Sequence, residues 1–83
     1  MSGGKDMKEF YLARKIGPFL VSADIEEFDE EVTASVFVFL ECTMKTLEFS
    51  IREFKSYEEA REWLLKKFFE VCKRIGRQVR RGS

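Results

Sequence analysis

Between residues 10 and 51 apolar side chains recur at every second position, and beyond residue 56 they recur at every third or fourth. That change of period constrains the chain most. A strand sends alternate side chains to opposite faces, whereas a helix gathers every third and fourth on one side. Phe10, Leu12 and Ile16 share one parity. Phe19, Val21, Ala23 and Ile25 line a second stretch, with Leu20, Ser22, Asp24 and Glu26 opposite. Val32, Ala34, Val36, Val38, Leu40 and Cys42 form a third, and Leu47, Phe49 and Ile51 a fourth, opposed by Glu48, Ser50 and Arg52. Gly17-Pro18 is a tight-turn signal and the acidic residues around Phe28-Asp29 mark the next turn. Links this short join antiparallel neighbours, because a parallel crossover takes a dozen residues or more.

Ser56-Tyr-Glu-Glu59 then opens a helix as a capping box, with Ser56 accepting from a first-turn N–H and Glu59 reaching back. Ala60, Leu64, Phe68, Val71, Cys72 and Ile75 fall within an arc of about 120° at helical spacing. Gly76 is the expected terminator, and Glu62–Lys66 and Glu70–Arg74 are spaced for i,i+4 ion pairs. The expected architecture is α+β: a four-stranded antiparallel β-meander packed on one C-terminal amphipathic helix (ββββα). Residues 1–83 form one domain, with 1–6 and 77–83 as frayed ends and no signal peptide at the start. Its core is expected to hold Val21, Val36, Val38, Leu40, Phe49, Ile51, Leu64, Phe68 and Val71.

The turns propose a register in which Ile16 faces Phe19, Ile25 faces Val32 and Leu40 faces Phe49. The row Lys15, Leu20, Phe37, Arg52 then crosses the face opposite the helix, with Phe39 one step along and Tyr11 further down. One helix covers one face of a sheet. Two phenylalanines on the other face of a central strand therefore ask for a cover of their own.

Three readings of that face stand side by side. A second subunit, or the N-terminal segment, packs over it. Single-stranded nucleic acid stacks its bases on Phe37 and Phe39, with Lys15, Arg52 and the tail cations Arg77, Arg80 and Arg81 beside the phosphates. Or a peptide, protein or small ligand binds there. Trp63 and Phe69 lie about 120° to either side of the buried arc's centre, as rim residues or as contacts to a partner chain. Trp63 has Lys67 and Arg74 on its side of the helix, which also suits it to a base.

Charge bears on the choice. Fifteen basic and fifteen acidic residues cancel over the 83 positions. Yet Asp24 to Glu31 packs six acids with no base, and Lys66 to Arg81 packs seven bases against the single acid Glu70. A chain polarised in this way can pair with its own copies or hold a polyanion at its basic end. The acidic run lacks the glycine and the spaced terminal Glu of a calcium loop, and reads as a solvated hairpin tip that protects the sheet edge.

Enzyme chemistry is narrowed by what is missing. There is no histidine, which removes histidine-based triads and most zinc sites. No phosphate-binding glycine loop or nucleophile elbow occurs. The chain reads as a non-enzyme without metal or other cofactor. Cys42 and Cys72 read as two buried free thiols in a reducing cytoplasm. No stretch is apolar and long enough to span a bilayer. The absence of Asn, the single Gln and the 36% charged residues match hyperthermophile composition.

A ββββα domain with Phe37 and Phe39 on the open sheet face, Trp63 on the helix and cations nearby resembles small single-stranded-DNA-binding modules. Among these are the coactivator-type ββββα dimers of transcription and the ThermoDBP-related proteins of hyperthermophilic archaea. The resemblance covers Lys8 to Gly76 in element order. It implies a cytoplasmic, archaeal, homodimeric DNA-binding protein that takes single strands on the open sheet face.

Overall fold

The alternating stretches are strands and the 3.6-period stretch is a helix. The computed structural model describes residues 9–82. In chain order they are β1 (Glu9–Ile16), β2 (Phe19–Phe28), β3 (Glu31–Leu40), β4 (Lys45–Phe54) and α1 (Tyr57–Gly82). The four strands make one antiparallel sheet in the order β1-β2-β3-β4, and α1 lies across one face of it. The expected frayed start, residues 1–6, lies outside the described residues.

The helix crosses over β2 and β3 and reaches the edge strands less. Between them lies the core: Val21, Ala23 and Ile25 of β2, Val32, Ala34, Val36 and Val38 of β3, and Ala60, Leu64, Phe68, Val71, Cys72 and Ile75 of α1, all buried. All six helix residues belong to the expected arc. Glu59 N–H donates to Ser56 Oγ at 3.1 Å, so Ser56 caps the helix.

Three expectations fail on local geometry. The helix does not stop at Gly76 but runs six residues further to Gly82, so residues 77–82 are helical and not a frayed end. A helix-interior glycine costs only about 1 kcal/mol, and Ile75 and half-buried Val79 pack against the sheet side to offset it. Val79 also closes on the first turn: a Cβ on Gly17, whose φ is +58°, would meet Val79 Cγ2 at 3.0 Å.

The second turn is the pair Asp29-Glu30, with Asp29 at φ 59°. It closes one residue later than expected and shifts the β2–β3 register by two, pairing Ile25 with Ala34 and Val21 with Val38. An even shift leaves both faces intact.

The third correction is larger. Leu40 pairs with Lys45 across a four-residue turn, and a β-bulge beside Leu47 breaks the ladder between Val38 and Phe39. One extra residue reverses the parity of everything beyond it. Phe49 and Ile51, expected in the core, are instead 62% and 54% exposed on the open face, and Leu47, in the bulge, is 47% exposed. Glu48, Ser50, Arg52 and Phe54 turn to the helix side, opposite Val38, Val36, Ala34 and Val32. Leu40, also expected in the core, is half-buried.

Candidate functional site

Two surfaces carry the residues singled out above, and they lie on opposite sides of the molecule. The first is the open sheet face. Its rows read Lys15, Leu20, Phe39, Thr46, then Ala13, Ser22, Phe37, Phe49, then Tyr11, Asp24, Ser35, Ile51. Phe37 stacks on Phe39 with ring centroids 5.9 Å apart and planes 9° apart, and meets Phe49 at 5.9 Å. Ser22, beneath these rings, is buried. Leu20 is half-buried beside Phe39.

This face is apolar toward the first turn and mostly acidic toward the second, where Phe28 is also exposed. Asp24, Glu26, Glu31 and Glu53 share its parity toward the second turn. Burial, and then the neighbouring Glu26 carboxylate, raises the Asp24 carboxyl above its ordinary value. Lys15 is the cation of that parity among the described residues, and its Nζ sits 3.1 Å from Glu41 Oε1. The expected second cation, Arg52, is not there. The bulge that exposes Phe49 puts Arg52 on the helix side, its guanidinium 5.2 Å above the Phe54 ring.

The second surface is the crown of α1. At helical spacing Trp63, Lys66, Lys67, Lys73, Arg74, Arg77, Arg80 and Arg81 fall within an arc of about 140° that also holds Glu70. From Lys66 to Arg81 this stripe is about 22 Å long at 1.5 Å per residue. Its centre is turned about 150° from the centre of the buried arc, away from the sheet. Arg77, Arg80 and Arg81, expected at the margins of the open sheet face, therefore belong to this crown instead. The stripe begins at an aromatic pair: Trp63, half-buried, meets Phe54 of β4 with centroids 5.7 Å apart. Arg52, Phe54, Glu59, Glu62, Trp63 and Lys66 surround a shallow cleft of about 370 Å³ beside that pair. A second depression of about 510 Å³ follows between Trp63, Lys66, Lys67, Glu70 and Lys73.

Arg74 does not pair with Glu70 as its spacing suggests. It reaches across to Glu48, which the bulge has turned toward the helix. That pair pins the crown to β4. Lys66, Lys67 and Lys73 have no carboxylate within ion-pair distance among the described residues.

Trp63 and Phe69 do not form one surface. Trp63 lies on the β4 flank, while Phe69, 55% exposed, sits on the β1 flank with its ring edge-on to Phe68 at 5.8 Å. The thiols also differ. Cys72 is buried, and burial raises its pKa against a smaller lowering by Arg14. Cys42, expected to be buried, is exposed in the β3–β4 turn, because the strand ends at Leu40.

Spacing alone pointed to the cations of the crown, but as a terminal tail and not as one helical face. Phe54 was overlooked altogether, since it stands on the polar parity of its strand. No three or more Cys, Asp or Glu side chains among the described residues are placed to hold a metal ion, and no helix there is long and apolar enough to cross a membrane. No family model, curated protein or solved structure matches the chain.

Proposed function

We propose that the chain is a module for binding single-stranded nucleic acid, and that its binding surface is the crown of α1 with the Phe54–Trp63 pair at its head. The observation that carries this reading is the stripe itself: seven bases and one acid on one helical arc, starting at an aromatic pair. Phosphates are held by such cations without base specificity. A base freed from stacking with its neighbours gains about 1–3 kcal/mol against an aromatic ring. The open sheet face serves this purpose less well, since Arg52 has left it and its acids outnumber its cations.

Single strands are favoured over duplex on shape. Duplex bases are already stacked, and the sheet behind α1 keeps the helix from entering a major groove about 8.5 Å deep beyond its crown. The same reading places the module in the reducing cytoplasm of a heat-adapted, archaeal cell, in keeping with its free thiols and its depletion of amides. No catalytic role is part of it.

Titration of a labelled single-stranded oligonucleotide and its matched duplex, followed by anisotropy and by Trp63 fluorescence, tests the reading. Micromolar binding to the single strand, weakened by salt and with Trp63 quenched, is expected. Lys66→Glu with Lys67→Glu removes it. Binding that survives this double reversal but is lost in Phe37→Ala with Phe39→Ala would return the site to the open sheet face. No binding to single strands at low salt would end the reading.

A further inference from the structure

The open sheet face is the largest surface that the fold leaves unexplained, and its composition restricts what can cover it. Strands of ten residues at about 3.3 Å each, four abreast at about 4.8 Å, make a face of about 600 Å² in plan. Pleating and the projecting Phe37, Phe39, Phe49 and Ile51 make its accessible area larger. A lasting protein interface takes about 800 Å² from each partner. The part of this face that a second copy would cover, about two-thirds, is therefore a half-interface at the small end of the range. Its apolar part is of the size, about 300–600 Å², at which a monomer's largest exposed patch is often functional.

The arrangement on the face favours a partner of the same kind. Leu20, Phe37, Phe39 and Phe49 cluster toward the Gly17 end, whereas Asp24, Glu26, Glu31 and Glu53 occupy the Asp29 end, with Phe28 beside Glu31. We propose that a second copy of this chain covers this face, sheet against sheet, about a two-fold axis that crosses the strands through the Phe37–Phe49 cluster. The apolar halves then meet each other. Each Asp24 then lies opposite the partner's Lys15 row, and Glu26, Glu31 and Glu53 run out past the partner's first turn, so the like charges never face one another. A two-fold axis along the strands would instead lay the four acids of one copy on those of the other, at a cost that rises as water is excluded.

Such a contact is isologous and closes at two copies. It leaves the helix crown untouched on the outer side of each subunit. The inference does not rest on nucleic-acid binding: the two surfaces share no residue.

Sedimentation equilibrium of the full chain, over micromolar concentrations, reads the result. A species of twice 9.8 kDa is expected. Phe49→Lys with Ile51→Lys, both exposed and therefore harmless to the folded subunit, weakens association at least about tenfold, because Phe49 stands at the centre of the patch. Phe39→Ser does the same from the central strand. Lys66→Glu with Lys67→Glu leaves the mass unchanged. A wild-type monomer at the highest concentration overturns the proposal and leaves residues 1–8 or another protein as the cover. Retained dimer in the Phe49→Lys, Ile51→Lys protein also overturns it and moves the contact to the helix. If Phe39→Ser leaves the dimer intact while the β4 double variant breaks it, the copies join edge to edge through β4 and the face-to-face arrangement is wrong. Circular dichroism of each variant confirms that the subunit remains folded, and the double variant carries the test if Phe39→Ser does not.

Discussion

Val38 and Phe39 are neighbours on β3 in opposite surroundings. Val38 is 2% exposed beneath α1, among aliphatic side chains of β2 and the helix. Phe39, a larger apolar residue, stands half-exposed on the other face against Phe37. The helix side is closed by the chain itself, and the open side carries comparable apolar material without a cover. In a two-layer fold only one face of the sheet can be satisfied from within. What the other face displays is thus free to be a contact, and here it displays rings instead of charges.

The helix side tolerates change least. Val38→Asp puts an unpaired carboxylate mid-sheet under the helix, at a cost of several kcal/mol, comparable with the ~5–15 kcal/mol that holds a domain together. No cooperative thermal transition is expected. Phe39→Ser, one residue away, costs the isolated subunit less, about 1–2 kcal/mol, since its half-buried ring packs on Phe37 on the open side and its loss leaves no cavity under the helix. If both variants melt alike at a dilution that keeps the chain monomeric, the two faces are not distinct in the way described.

That contrast also marks how much the residues disclosed. Element order, strand parity in β1, β2 and β3, the cap at Ser56 and the six buried helix positions follow from period alone, because each rests on a run of several consistent side chains. The parity of β4 did not follow. Leu47, Phe49 and Ile51 alternate correctly, and an alternating apolar set is ordinarily the buried one. A single bulge near Leu47 inverts the strand, and bulges leave little local trace in a sequence. One clue was present. Phe37 and Phe39 needed apolar neighbours on their own face, and Phe49 and Ile51 can supply them only if β4 is inverted. The helix extension was missed for a related reason: Gly76 is a good terminator by rule, and only the packing of Val79 near Gly17 keeps the helix going.

Two glycines sharpen the comparison on the side that the chain closes for itself. Gly17 is at φ +58° with Val79 against it, so Gly17→Ala combines a strained backbone with a tight contact. A loss of about 1–2 kcal/mol is expected by chemical denaturation. Gly76 is helical with nothing within 4 Å of an added Cβ. Gly76→Ala is expected to gain about 0.5–1 kcal/mol, chiefly by restricting the unfolded chain. A loss at Gly76 of the size seen at Gly17 would mean that the last turns of α1 do not hold the helical conformation.

The smallest effect concerns the open face by itself. Asp24 lies on it beside Glu26, and burial with that neighbour raises its carboxyl above the ordinary value. A carboxyl that binds its proton more tightly in the folded protein than in the unfolded chain makes the folded state less stable once it ionises. The sign is therefore fixed. Its penalty is absent below the unfolded value of 3.8. It grows as pH rises through the raised folded value, and is fully present at neutral pH. Asp24→Asn keeps the shape and removes the charge, so it is expected to raise the melting temperature slightly at neutral pH and to leave it unchanged in acid below that window. Covering the face with a second copy excludes further water from Asp24 wherever the contact reaches it. The gain from Asp24→Asn should then be larger at concentrations where the chain is associated than at dilution. Equal gains at both concentrations would place Asp24 outside the contact and move the two-fold axis toward the Gly17 turn, whereas a larger gain agrees with an axis through the Phe37–Phe49 row, one row from Asp24 on the same face. Either way the melting temperatures locate the axis along the strands, and only a fall in stability at neutral pH would contradict the burial of the Asp24 carboxylate on this face.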